Sequence, residues 1–169
     1  MKRIFLSILF IALLASCKQE CPECKKCPEQ DVNTIDKESE ITTKELKAKL
    51  NKEGFQTFDY VDEKTKDTVI MQQYFIAFLK KGPNRSQSKE EASQLQKEHL
   101  AHLGKMYELG YADISGPFGD DGDIRGITIY NTPTLKTADS LANADPMVKA
   151  GRLVIEIHPW WAAKGFPLR

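Results

Sequence analysis

One histidine sits where a base would be useful. At ~100° per residue, Ala92, Leu95, Leu103 and Met106 line one arc of a helix expected over about Lys89–Leu109, and His99 falls at its centre. An imidazole on a face that otherwise packs apolar atoms is partly desolvated. A carboxylate beside such a ring fixes its tautomer and strengthens it as a base, able to take a proton next to a carbonyl or to activate water. The plainer reading of a histidine in that position is a core residue that needs only one hydrogen-bond partner. His102 falls on the flank of the same arc. Further along, Gly119-Asp120-Asp121-Gly122-Asp123 concentrates acids, and Arg125 follows. The loop has neither an EF-hand spacing nor a distal Glu, so calcium is not expected there. Arg125 could clamp a carboxylate substrate, although a surface ion pair is the simpler use.

A second constellation is Cys21-Pro-Glu-Cys24-Lys-Lys-Cys27. Thiols at this spacing can hold a soft metal, but a fourth ligand is missing nearby. In an oxidising compartment disulfide formation is the more economical use. The remaining cysteine, Cys17, closes the segment that precedes it. Lys2 and Arg3, an apolar run from Ile4 to Leu14, and Leu14-Ala15-Ser16-Cys17 read as a secretory leader. The run is too short to cross a bilayer core of ~30 Å. The tetrapeptide resembles a bacterial lipobox, which implies cleavage before Cys17 and its lipidation. Residues 1–16 are therefore expected to be a signal peptide. The mature protein is expected on the bacterial cell envelope, exported and lipid-anchored on the periplasmic or outer-membrane side.

Residues 17–53 are polar and charged and read as a tether. Within it, Thr42 or Thr43 could cap a marginal helix through Glu45–Leu50. The folded domain is expected over 54–169. Phe55, Phe58 and Tyr60 suggest a short strand, and Val69–Leu79 a long one that stops at Lys80-Lys81-Gly82-Pro83. Ser88 with Glu91 forms a capping box for the helix carrying His99, and Gly110 is its C′ residue. Strands are expected over Tyr111–Ser115, Ile124–Asn131 and Leu153–His158, the last ending at Pro159. A helix is expected over Leu135–Asn143, broken by Asp145-Pro146. Strand, helix, strand, strand, helix, strand is the split β-α-β plan of ferredoxin-like α+β folds. Two helices can cover only one face of such a sheet. Yet Ile76 and Phe78 oppose Phe75 and Leu79, and Val154 opposes Ile155 and Ile157. Apolar residues on both faces point to a homodimer with two sheets packed together. Trp160 and Trp161 could line a ligand site or cap that seam; packing is favoured.

From about Val69 to Trp160 the chain resembles the YciI-like proteins, the YCII-related domain. The matching pieces are His99-Leu100-Ala101-His102-Leu103, Gly110, Gly116-Pro117 with Asp120, Gly126, Asp145-Pro146, Val148 with Ala150-Gly151, and Pro159-Trp160. The resemblance implies a dimeric α+β barrel and an active-site pair of one histidine and one aspartate. On these positions the pair would be His99 with Asp120, with Asp121 second; His102 and Arg125 are accessory candidates. Some members resemble lactone isomerases or dehydrochlorinases. That implies lyase or isomerase chemistry on a small organic acid or phenol, with the pair as general base. The alternative is a non-catalytic ligand-binding or structural envelope lipoprotein.

Composition removes other classes. Lys+Arg and Asp+Glu balance at 24 each, which argues against a nucleic-acid partner. Membrane attachment would come from the lipid, since no polybasic cluster follows Cys17. No Gly-rich fingerprint, triad or metal cluster marks the domain, so neither cofactor nor metal is expected.

Overall fold

The structure, a computed structural model, describes residues 41–168. The leader, Cys17, and Cys21, Cys24 and Cys27 lie outside the described residues, as does most of the expected tether. Within them the order is α1 (Thr43–Lys52), β1 (Thr57–Val61), β2 (Thr68–Lys81), α2 (Lys89–Glu108), β3 (Ala112–Pro117), β4 (Ile124–Tyr130), α3 (Leu135–Asn143), α4 (Pro146–Lys149) and β5 (Leu153–Ala163). Among the described residues no helix is long and apolar enough to cross a membrane.

The five strands form one antiparallel sheet around β2. β5 runs along 71–81 of β2, from Met71↔Ala163 to Lys81↔Leu153. β1 and β4 must then share the opposite edge, β1 beside 68–72 and β4 beside 75–80. β3 pairs β4 alone. The sequence β3-β4-β2-β5, with two helices in the crossovers, is the ferredoxin-like α+β arrangement; α1 and β1 are additions to it.

Side chains alternate faces along a strand. Phe75 and Ala77 of β2, with Ala112 and Tyr130, pack against Met106 of α2 and Ala138 and Ala142 of α3. At the other end of the same face, Leu79 and Leu153 pack with Met147 of α4 and Leu95 of α2. This layer is the core. α2 begins with the expected capping box, Ser88 with Glu91, and ends at Gly110 with φ 72°, a left-handed position natural to glycine.

The second face differs from expectation at one end. α1 is a capped helix, Thr42 accepting from the Glu45 backbone and Glu45 returning the bond. Asn51 accepts from Thr57, and Lys47 pairs with Asp59. Thr57 and Asp59 lie opposite Gln72 and Ile70, on the face away from α2. There Leu50, Ile70 and Gln72 are buried. So α1 packs on the sheet as part of the folded unit, and the boundary expected at residue 54 falls too late. Beyond α1 the same face carries Ile76, Phe78, Ile114, Ile127 and Ile129, with exposed Val154 and Trp160.

β5 also runs past its expected end. Pro159 lies opposite Phe75, and Trp160 and Trp161 pair with Tyr74 and Gln73. Proline lacks an N–H, but β5 is an edge strand, and its missing donor faces no partner strand. Trp161 packs on Phe58 with ring centroids 5.0 Å apart, and Trp160 on Tyr74 at 6.3 Å.

Candidate functional site

His99 occupies the middle of α2, turned toward the layer between helix and sheet and only 8 % exposed. A buried imidazole needs partners. Its Nδ1 donates to Asp145 Oδ2 at 2.6 Å. Because an ionised carboxylate only accepts, this bond puts the proton on Nδ1 and leaves Nε2 as the nitrogen with a lone pair.

Asp145 is held as firmly as it holds. It is the N-cap of α4, and its Oδ1 accepts from the Met147 backbone at 2.8 Å. Pro146 at the first helical position has no N–H to satisfy. The carboxylate is 3 % exposed, and both its oxygens are occupied. Tyr130 lies within reach of its charge. Burial, and then that charge, push the Tyr130 phenol well above the ordinary range and keep it neutral.

His99 lines a cleft of about 380 Å³. Leu79 and Leu153 come from the sheet, with Gly126 and Ile127 of β4 and Gly116 and Pro117 of β3. Gln96, Leu100 and Leu103 come from α2, and Met147 from α4. Gly126 is required where it stands: a Cβ there would lie 2.6 Å from the Gly116 carbonyl oxygen. Arg85, Arg125 and Arg152 also face the cleft. Among the described residues no three His, Cys, Asp or Glu side chains converge as a metal site would require.

The comparisons with known proteins follow this geometry. A family model described as the YCII-related domain matches residues 74–161. The chain belongs to the YCII-related family. No curated protein matches it. Among solved structures, it is similar to 5-chloro-2-hydroxyhydroquinone dehydrochlorinase from Burkholderia phenoliruptrix AC1100, in complex with 2,5-dihydroxybenzoquinone. The similarity is at 23 % identity and a TM-score of 0.40, over 52 % of this chain and 92 % of the other.

Measured against the YCII-related pattern, the expected residues separate. His99 is buried and carboxylate-bound as anticipated, but its acid is Asp145, not Asp120. Asp120 is exposed, and its Oδ1 accepts from the Gly122 backbone at 3.2 Å within its own loop. The Asp121 side chain is fully solvent-exposed and meets Arg125 at 3.4 Å, while its backbone carbonyl accepts from Lys81 at 2.9 Å. A loop-internal bond holds Asp120, the Asp121 carboxylate stands in water, and neither lines the cleft. His102 donates from Nε2 to the Leu141 carbonyl at 3.1 Å, tying α2 to α3. Arg125 does reach the cleft, steadied by the carbonyls of Asp120 and Gly122. Asp145 was in view as the Asp-Pro step among the family's pieces. An aspartate before a helical proline both breaks the preceding helix and N-caps the next, and here it does the second.

Proposed function

We propose that this YCII-related domain is a small-molecule enzyme of the lyase or isomerase type, with His99 as general base and Asp145 as the residue that positions it. One observation carries this: the ring is locked through Nδ1 to a buried acid while lining a cleft open to a ligand. The substrate is a small organic acid or phenol. In an organic acid Nε2 takes a proton from carbon next to a carbonyl, and the C–H electron pair moves toward the carbonyl oxygen, giving an enolate; in a phenol it takes the hydroxyl proton, giving a phenolate. The proton is returned at another carbon, or a leaving group departs with the electron pair. The cleft arginines are the counter-charges for the developing oxyanion.

The test is deuterium exchange in heavy water across a panel of small keto acids, unsaturated lactone acids and halogenated phenols, read by NMR together with halide release. Wild-type protein is expected to exchange or convert a member, and His99→Gln to lose about 100-fold or more. Undiminished exchange in a folded His99→Gln protein overturns the role of the ring.

A second reading has its own support. Asp145 caps α4 as well as binding His99, so the pair is also a piece of scaffold. In a non-catalytic ligand-binding or structural protein, ligands would raise the melting temperature without turnover. The wider setting is likewise proposed: an exported, lipid-anchored envelope protein that dimerises through the second sheet face. Ile76, Phe78, Ile127 and Ile129 on that face support dimerisation. Phe78→Glu is expected to give a monomer in light scattering, and labelled palmitate incorporation at Cys17 reads out the anchor.

A further inference from the structure

We infer that the cleft selects a dianion, a small organic molecule with two acidic groups, through Arg85, Arg125 and Arg152. The inference rests on the cleft being the reaction site proposed above. The three guanidiniums arrive from three separate segments. Arg85 stands in the β2–α2 loop, Arg125 near the start of β4, and Arg152 in the turn between α4 and β5. Among the described residues no carboxylate lines the cleft with them; its other polar members are His99, Gln96 and Ser115. The one buried acid nearby, Asp145, has both oxygens committed.

The arginines are held in place without being neutralised. Arg152 donates to the neutral Oε1 of Gln87 at 3.1 Å. Arg125 donates to two backbone carbonyls, and its one acidic contact among the described residues, Asp121 at 3.4 Å, is to a side chain wholly in water, where pairing is weak. Arg85 makes no ion pair among the described residues. Three unneutralised cations around one small concavity repel each other and raise the local potential for anions. A single carboxylate engages one guanidinium fork, or bridges two; the third calls for a second acidic group. The volume of about 380 Å³ is near the small end of ligand sites, so the dianion is a short chain or one ring. A plain phenol would leave this charge unanswered. The walls, Leu79, Leu100, Leu103 and Leu153, suit the carbon skeleton between the acids.

The experiment is calorimetric titration of the full chain with two matched series: phthalate, benzoate and benzamide, and fumarate, crotonate and crotonamide. In at least one series the diacid is expected to bind about tenfold tighter than the monoacid, and the amide weakest. Arg85→Gln and Arg125→Gln are each expected to weaken the diacid about tenfold and the amide hardly at all. Amide binding as tight as diacid in both series overturns the inference. So does the absence of diacid binding, or diacid binding indifferent to both substitutions. His99→Gln keeps the diacid preference in this scheme. Deuterium exchange surviving His99→Gln would strike out the proposed base and leave the dianion site standing. Lost diacid preference with His99-dependent exchange intact would do the reverse.

Discussion

His99 Nδ1 and Asp145 Oδ2 stand 2.6 Å apart, joining the middle of α2 to the N-cap of a short helix 46 positions later in the chain. Asp145→Asn can accept from His99 or from Met147 through one oxygen, and its amide can only donate. One buried group is left without its partner, which costs about 1–3 kcal/mol. Asp145→Ala removes both bonds and the cap, and is expected to cost more. Asp120→Ala, in an exposed loop, is expected to stay within ~0.5 kcal/mol of wild type. Urea denaturation measures all three. Nitrogen-detected NMR of the imidazole should show a protonated Nδ1 in wild type and lose that signature in Asp145→Asn.

Leu50 tests whether α1 is part of the fold. It is the residue of α1 that is buried, whereas Leu46 is only half-buried. Leu50→Ala is expected to cost about 2–4 kcal/mol, as for a core leucine, and Thr42→Ala about 1 kcal/mol for the lost cap. A helix belonging to a solvated tether would show neither effect in the global unfolding transition.

Two glycines should respond in opposite directions to the same methyl group. Gly104 sits on the exposed side of α2 with open space around its missing Cβ, so Gly104→Ala is expected to stabilise by about 0.5–1 kcal/mol. Gly126→Ala pushes against the Gly116 carbonyl across the β3–β4 seam and is expected to destabilise by about 1–3 kcal/mol. Since Gly126 lines the cleft, ligand affinity should fall with it. Thermal melts and titration with the ligands of the cleft read both.

Alkaline pH isolates Tyr74. Burial, and secondarily the charge of Asp113, push its phenol from 10.0 up to about 12. Below the unfolded value both states keep the proton, and the group adds no pH dependence. Between that value and the folded one the native chain holds a proton that the unfolded chain has released, so stability falls as pH rises through this window. Tyr74→Phe is expected to flatten the fall. Some slope should persist, because Tyr130 is shifted in the same direction. Denaturation midpoints across the window decide it; an unchanged slope in Tyr74→Phe would show that the phenol is not sheltered.

How much of the fold is visible in the chain depends on how local each signal is. α3 spans Leu135–Asn143 as its pattern implied, and α2 keeps both of its punctuation marks, Ser88 and Gly110. Capping and periodicity are properties of a few adjacent residues, so they can be seen in one dimension. The start of the folded unit was less visible, because Leu46 and Leu50 make a thin stripe whose burial depends on β1 and β2. Pro159 looked like a terminator, since nothing in the neighbouring residues says that β5 lies at an edge. The acid beside His99 was hidden for the same reason. Asp120 is nearer in sequence and sits among other acids, yet loop-internal bonds satisfy it. Asp145 becomes a partner only when α2 and α4 are packed side by side. The arginines were half visible: Arg125 was in view beside the acidic loop, while Arg85 and Arg152 gain meaning only from the wall they share.

β2 is measured against three other strands at once: β1 at 68–72, β4 at 75–80 and β5 at 71–81. A slip of one residue would turn Phe75, Ala77 and Leu79 away from the helices. It would also break pairing along both borders of the strand, and part Leu79 from Gly126, its neighbour in the cleft. β2 thus works as a shared template with built-in proofreading. A misaligned chain fails to close at several seams together, so it does not settle into a well-folded molecule whose binding wall is out of place.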